Sequence, residues 1–183
     1  MAGSTSILEI IMQENIYKNQ ILTQKNANLS AGEYLTFTLG GEVYGIEILK
    51  VQEIRSYEPA TKIANTPDFI KGVINLRGSI VPIVDLRMRF NLSSVEYNDF
   101  TVVIVLNLNK RIVGIVVDSV SDVLALSDAQ ISPVPDLVAS IDTKYLLGLA
   151  TIEQQMLILL NIEHLMTSQE MALVEAASDF TDK

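Results

Sequence analysis

The stretch FIKGVINLRGSIVPIVDLRMRF, residues 69–90, decides the fold prediction. It is strongly apolar and rich in β-branched residues, which favour β-strands. Arg77 and Gly78 separate two apolar runs within it, and glycine is common in the tight turn of a hairpin. The stretch therefore predicts two strands joined by a turn, with a charged side chain in the middle of an apolar segment.

Two further pairs of apolar runs flank turn signals at Gly40-Gly41 and Asn109-Lys110. The runs are YLTFTLG (34–40) with EVYGIEI (42–48), and FTVVIVLNL (100–108) with RIVGIVVD (111–118). Short strands that alternate with turn signals are typical of a β-barrel or a β-sandwich. The chain is therefore predicted to be mainly β.

The second half of the sequence repeats the first. A shift of 69 residues places Gly45-Ile46 on Gly114-Ile115, and a shift of 76 places Gly72-Val73 on Gly148-Leu149. One unit of about 60 residues buries too little surface for much stability. The repeat therefore predicts two small β units of similar topology that pack together.

Composition argues against several classes of function. The chain has 183 residues, is 49% hydrophobic and carries a net charge of −9, with a pI near 4.5. A nucleic-acid-binding protein needs a basic surface, and an acidic chain is repelled by anionic membranes. The longest purely apolar runs fall far short of the ~18 residues of a membrane span, so no direct membrane insertion is expected. The absence of cysteine excludes disulfides and zinc–thiolate sites.

The sequence offers few residues for catalysis. His164 is the single histidine, and no nucleophile or cluster of metal ligands accompanies it. Neither a phosphate-binding glycine loop nor calcium-loop spacing of acidic residues is found. We therefore expect no enzymatic activity, no metal and no cofactor. A small-molecule-binding β-barrel is the alternative to a protein-binding module, although aromatic residues, which often line such pockets, make up only 6% of the chain.

Arg77 has two interpretations. It is either a turn residue that pairs with a nearby carboxylate, such as Glu53 or Asp85, or a polar anchor within an apolar interaction surface. Arginine is enriched at interface hot spots because its planar guanidinium makes several hydrogen bonds while its stem covers apolar area. Gly78 beside it would let a partner approach the backbone closely.

Four stretches of the chain resemble the CheW family of chemotaxis coupling proteins. They are EYLTFTLGGEVYGIEILKVQEIR (33–55), IANTPDFIKGVINLRGSIVPIVDLR (63–87), YNDFTVVIVLNLNKRIVGIVVDSVSDVL (97–124) and YLLGLATIEQQMLILLNIEHLM (145–166). The resemblance extends over residues 33–175. It implies a mainly β fold of two SH3-like, five-stranded β-barrel subdomains packed together, with short helices between them and at the C-terminus.

The resemblance also implies boundaries within the chain. Subdomain 1 is expected at residues 33–90 and subdomain 2 at residues 97–166, with a C-terminal helix at residues 162–177. Residues 1–32 are expected to form an N-terminal tail or a weak helix, and residues 178–183 a tail.

The function implied by the resemblance is that of a non-catalytic adaptor. It would couple the cytoplasmic tips of chemoreceptors to the histidine kinase CheA, through the regulatory domain of the kinase. It would act in the cytoplasm, recruited to membrane-bound receptor arrays, and weak self-association is left open. Related domains occur fused to a receiver or a kinase, but this sequence ends at Lys183, so a stand-alone adaptor is expected.

Matching motif positions imply two sets of site residues. The receptor-binding set is expected to be Ile48, Val51, Glu53, Ile54, Gly72, Arg77, Gly78 and Val81. The kinase-binding set, which follows from the second subdomain as a whole, is expected to be Val102, Ile104, Ile112 and Val117. Since a receptor tip is a helical hairpin, the expected mode of recognition is a helix bound in a groove.

Overall fold

The computed structural model describes residues 31–92, 95–135 and 143–166, together with the helical positions 8, 9, 11–13 and 16. Within these residues the chain is mainly β, as predicted. Its strands are β1 (Ala31–Leu39), β2 (Glu42–Glu47), β3 (Val51–Ser56), β4 (Ile70–Leu76), β5 (Ser79–Asp85), β6 (Val102–Leu108), β7 (Arg111–Val117), β8 (Ser119–Ser127), β9 (Ile131–Ser132), β10 (Leu146–Ile152) and β11 (Gln155–Leu160). Short helices α1 (Leu86–Arg89) and α2 (Ile162–Met166) follow β5 and β11, and 3₁₀ turns lie at Ile48–Lys50, Asp128–Gln130 and Thr143–Tyr145.

The strands form two sheets. One is five-stranded, with the order β3-β6-β7-β5-β4. The other is six-stranded, with the order β8-β1-β2-β11-β10-β9, and its edge strand β9 has only two residues. Neighbouring strands are antiparallel except for two parallel pairs, β5 with β7 and β2 with β11. The five-stranded sheet and five of the strands in the other sheet have the same arrangement.

The two parallel pairs are equivalent under the sequence repeat. Ile83 lies opposite Gly114 in the five-stranded sheet, and Leu159 lies opposite Gly45 in the six-stranded sheet. The aliphatic side chain covers the glycine in both pairs. A Cβ on Gly114 would lie 2.6 Å from Ile83 Cδ1, and a Cβ on Gly45 would lie 2.9 Å from Leu159 Cδ2. The strand pairing thus confirms the predicted repeat and explains the alignment of the two glycines.

Strand pairing groups the chain differently from the expected boundaries at residues 33–90 and 97–166. Hairpin β1-β2 pairs with β8 and β11 of the second half, and hairpin β6-β7 pairs with β3 and β5 of the first half. Each sheet is therefore completed by the first hairpin of the other repeat. This exchange is possible because the repeats offer equivalent strand edges, and because the short turn Ile48–Lys50 leads β2 directly into the opposite sheet.

The core has three parts. The largest lies between the sheets and draws on both, with Phe37, Ile46, Val84, Ile104, Leu106 and Ile115 among its buried residues. A smaller cluster belongs to the five-stranded sheet and contains Leu76, Val81, Ile83, Val103, Val105 and Val116. Its counterpart in the six-stranded sheet contains Tyr34, Leu126, Ala150, Leu157 and Leu159. Successive residues of β6 thus alternate between the shared core and the smaller one, which explains a continuous apolar run where both faces of a strand are buried.

Four hairpins turn through two residues with positive φ. The turn pairs are Gly40-Gly41, Arg77-Gly78, Asn109-Lys110 and Glu153-Gln154. Positive φ at both central residues matches the right-handed twist of the flanking strands. Sequence analysis predicted the first three turns from glycine or asparagine, whereas Glu153-Gln154 carries no such signal.

The short helices are capped by equivalent side chains. Asp85 Oδ1 accepts a hydrogen bond from the Arg87 backbone N–H at 3.0 Å, and Asn161 Oδ1 accepts one from the His164 N–H at 3.0 Å. The expected helix at residues 162–177 is described only as far as Met166, and the expected tail at residues 178–183 lies outside the described residues. Within the described residues, no helix has the length and apolarity needed to cross a bilayer.

Candidate interaction surface

An ion pair joins two of the predicted receptor-binding residues. Arg77 Nη2 lies 2.9 Å from Glu53 Oε2, and 76% of the Arg77 side chain remains exposed to solvent. Arg77 adopts a φ of 51° in the β4–β5 turn, and the next residue, Gly78, donates its backbone N–H to Asn75 Oδ1 at 2.9 Å. The turn thus holds the guanidinium outward, while Glu53 limits its orientations.

The same ion pair brings together the two edges of the five-stranded sheet. Glu53 lies on edge strand β3, and Arg77 directly follows the opposite edge strand, β4. A flat sheet of five strands, spaced about 4.8 Å apart, would hold these edges far from each other. The sheet is therefore strongly curled, as a small barrel requires, and the charged pair lies at its seam.

Apolar residues adjoin the Glu53 side of this seam. Ile48, Val51 and Ile54 are partly buried and pack against the shared core. Leu49, in the 3₁₀ turn before β3, is 93% exposed. Leu49 was not among the residues predicted from the sequence.

Two predicted receptor-binding residues do not reach the surface. Val81 is 0% exposed within the small core of the five-stranded sheet. Gly72 is also buried, with a φ of 132°, and a Cβ there would lie 2.0 Å from the Thr61 carbonyl oxygen. Neither residue can contact a partner directly in this conformation. Val81 fills the core, and Gly72 permits the close approach of the loop that contains Thr61.

The predicted kinase-binding residues divide in the same way. Ile104 and Val117 are fully buried in the shared core. Val102 and Ile112 are partly buried and retain exposed surface. The four residues were expected from strands β6 and β7 as a whole, and both faces of these strands are buried along most of their length. All four lie on β6 and β7, inside the same five-stranded sheet that carries Glu53 and Arg77.

A polar network that the sequence analysis missed lies beside α1. Arg87 is 0% exposed, and its guanidinium contacts Asp85 Oδ2 at 2.8 Å and Asp118 Oδ1 at 3.0 Å. Burial lowers the pKa of Arg87, but the hydrogen bonds and charges of the two aspartates outweigh it and the pKa is raised. The available signal was the sequence Asp85-Leu86-Arg87 directly after a buried strand, since a buried arginine needs carboxylate partners.

Tyr97 completes this network. Its hydroxyl donates to Asp85 Oδ2 at 2.8 Å, and the Arg87 guanidinium carbon lies 4.7 Å from the centre of its ring. Burial raises the pKa of Tyr97, and the hydrogen bond to Asp85 raises it further. Asp118 Oδ2 also accepts a hydrogen bond from the backbone N–H of Gly40, so the network connects the β1–β2 turn with α1. Among the described residues, no group of three or more His, Cys, Asp or Glu side chains could hold a metal ion.

Comparisons with known proteins agree with this architecture. A family model described as the CheW-like domain matches residues 33–170. Chemotaxis protein CheW of Klebsiella aerogenes is 61% identical over 143 residues, which cover 78% of this chain and 86% of the relative. Chemotaxis protein CheW of Rhizobium meliloti is 36% identical, covering 75% of this chain and 89% of the relative. The crystal structure of the scaffolding protein TtCheW from Thermoanaerobacter tengcongensis matches with a TM-score of 0.70 and 32% identity, covering 76% and 90% of the two chains.

Proposed function

Because the chain belongs to the CheW-like family, we propose that this chemotaxis adaptor couples the cytoplasmic tips of chemoreceptors to the histidine kinase CheA. It would work without catalysis, by binding both proteins at once. It would act in the cytoplasm and be recruited to receptor arrays at the membrane through these contacts.

The exposed Arg77 guanidinium is the observation that carries the proposal for the receptor. It projects from a hairpin turn, is oriented by Glu53, and has an open backbone beside it, because a Cβ on Gly78 would meet nothing within 4 Å. A guanidinium that is already oriented loses less conformational entropy when it binds. Val51 and Ile54 add partly exposed apolar area on edge strand β3, which also carries Glu53. Together these groups suit the side of a receptor helix that carries both apolar and acceptor groups.

For the kinase, the proposal narrows to the residues with exposed surface. Val102 on β6 and Ile112 on β7 are partly exposed. Ile104 and Val117 are fully buried and would support this surface only by packing in the core. The regulatory domain of CheA would then contact strands β6 and β7, whereas the receptor would contact the seam formed by Glu53 and Arg77. Two separate areas on one sheet would allow both partners to bind together.

A pull-down with the CheA regulatory domain and a receptor cytoplasmic fragment tests this proposal. We expect a ternary complex in which the chain is required for the other two to associate. Arg77→His should reduce capture of the receptor fragment and leave capture of the kinase domain intact. Binding of only one partner, or of neither, would contradict an adaptor role for this chain.

A further inference from the structure

The space beside α1 is filled by an aromatic side chain. Tyr97 lies there with its hydroxyl on Asp85 and its ring next to Arg87. On another side, Lys71 Nζ lies 5.3 Å from the centre of the ring. The Tyr57 ring stacks on Tyr97 with the two centres 4.5 Å apart. This site therefore consists of a polar acceptor at the helix cap, a long side chain on each flank and one tyrosine that lies against them while 41% exposed.

The repeat produces a second copy of the same site beside α2. Under the shift of 76 residues, Lys71, Asp85 and Arg87 correspond to Leu147, Asn161 and Glu163. These three residues, together with Glu47 and Lys50, line an open cleft of about 220 Å³. The cleft thus occupies the place that Tyr97 takes in the other half of the molecule.

We propose that this cleft binds a tyrosine side chain from an extended segment of a partner protein, flanked by basic residues. Leu147 is 41% exposed and offers an apolar wall for the ring, in the place of the Lys71 stem. Asn161 Oδ1 takes the place of the Asp85 carboxylate as the acceptor for the phenolic hydroxyl. It already accepts the His164 N–H, but an amide oxygen has two lone pairs and can accept a second bond.

Charge determines which segment fits. In the filled site the tyrosine lies between two cations, Lys71 and Arg87. In the open cleft the acidic residues Glu47 and Glu163 outnumber the one cation, Lys50. Glu163 accepts hydrogen bonds from Lys50, at 2.8 Å, and from Asn109. The bond to Lys50 is the main cause of the lowered pKa of Glu163, which therefore stays ionised. An acidic cleft favours a ligand with basic residues beside its aromatic ring.

The same charge argument disfavours two acidic segments of this chain. The segment around Tyr97 contains Glu96 and Asp99, so the same loop of a second copy would bring more negative charge. Residues 167–183 contain four acidic residues and one lysine, and no tyrosine. Tyr17 is followed by Lys18, so the N-terminal segment of this chain competes with a basic, tyrosine-containing segment of another protein, and the Leu147→Ser variant separates the two. This inference does not depend on the proposed binding of receptor or kinase.

Titration of the ¹⁵N-labelled full chain with the peptide acetyl-Gly-Lys-Tyr-Lys-Gly-amide tests the inference by NMR. We expect saturable shifts of the amide signals of Leu147, Asn161 and Glu163. A matched peptide with alanine in place of tyrosine should bind about tenfold more weakly or worse, since a buried aromatic ring contributes more than 1.4 kcal/mol. Raising the salt concentration should weaken binding of the tyrosine peptide, because rim charges are screened.

Two variants on the same sheet make the test specific. Leu147→Ser should weaken binding of the tyrosine peptide severalfold, whereas Met156→Ser, at another exposed apolar position, should leave it unchanged. Equal shifts with the alanine peptide, or shifts confined to other surfaces, would overturn the inference. It would also be overturned if the peptide had no effect while Leu147→Ser moved the amide signals of residues 1–30 or 167–183, because a terminal segment of the chain itself would then occupy the cleft.

Discussion

The guanidinium of Arg77 lies 2.9 Å from the carboxylate of Glu53, across the seam between the two edges of the five-stranded sheet. Arg77 is therefore a turn residue that pairs with a nearby carboxylate, as one of the two interpretations of the sequence proposed. The two interpretations are compatible, because three-quarters of the side chain stays exposed while one edge of the guanidinium is held. A solvent-exposed ion pair contributes little to the free energy of unfolding. The main effect of this pair is therefore that it orients the Arg77 guanidinium.

Replacing Arg77 should separate binding from folding. Arg77→His removes the ion pair, yet histidine tolerates the positive φ of this turn better than most residues do. We expect the free energy of unfolding in urea to fall by less than about 1 kcal/mol, because the pair is exposed. Binding of a receptor cytoplasmic fragment, measured by titration calorimetry, should weaken by at least tenfold.

Lys110→His is the matched control for that prediction. Lys110 is an exposed cation with a φ of 75°, in the second position of a different hairpin turn. This variant should leave receptor binding unchanged. If both variants weaken binding equally, overall charge rather than the Arg77 site governs the interaction; if Arg77→His unfolds the chain, the residue is structural.

The two predicted site glycines should respond differently to alanine. Gly72→Ala places a Cβ 2.0 Å from the Thr61 carbonyl oxygen, so backbone must move, and the cost should be roughly 3 kcal/mol. In Gly78→Ala the new Cβ points into open space, so the free energy of unfolding should fall only by the cost of an alanine at positive φ, about 1 kcal/mol. Urea denaturation of both variants measures this difference. Similar losses would mean that the loop at Thr61 moves away easily.

Val81 provides a test of burial against direct contact. Val81→Ala removes two methyl groups from a closed core and should lower the free energy of unfolding by roughly 1–3 kcal/mol. Below the thermal transition, the affinity of the folded protein for the receptor fragment should remain within about twofold of the original. A large loss of affinity without a loss of stability would place Val81 at the interface after all.

Tyr97 should make stability sensitive to alkaline pH. Its pKa is raised in the folded protein above its ordinary value of 10.0, first by burial and then by Asp85. Between the unfolded and folded pKa values the unfolded chain holds fewer protons, so stability falls as pH rises above about 10. The contribution is complete below pH 10 and is lost as pH passes through the folded pKa.

Tyr97→Phe isolates this contribution from those of the other tyrosines. The variant should be less stable at pH 8 by about 1 kcal/mol, because the hydrogen bond to Asp85 is gone. Urea denaturation at several pH values should show that the difference from the original chain shrinks above pH 10. A constant difference up to pH 11 would mean that Tyr97 ionises as freely in the folded protein as in the unfolded one.

Local patterns were sufficient to predict three of the four described hairpin turns and the repeat. Turn residues such as Gly40-Gly41 and Asn109-Lys110 mark chain reversals because their φ requirements are local, and the apolar runs record burial. The pairing of β2 with β11 could not be predicted, because two equivalent repeats offer equivalent edges and hydrophobic periodicity does not distinguish them. The burial of Val81 and Ile104 was not predicted, for a related reason. Both faces of their strands are buried, so no alternation marks the outer face.

The polar interior was less predictable still. Arg87 looks like a surface residue in the sequence, and only the positions of Asp85, Asp118 and Tyr97 in the fold allow it to be buried. Those partners lie as far as 31 residues away along the chain, beyond the reach of any local pattern. The ion pair of Arg77 with Glu53 could be predicted in part, because Glu53 was one of the two carboxylates proposed from the sequence as its partner.

The exchange of hairpins also constrains how the molecule is made. β2 leaves the ribosome early, but its parallel partner β11 is synthesised more than a hundred residues later. Until then the first hairpin exposes an unpaired strand edge, which is prone to pair with other nascent chains. A translation product that ends before β11 therefore lacks strands of the six-stranded sheet and keeps an unpaired strand edge. We expect such a fragment to aggregate and not merely to be inactive.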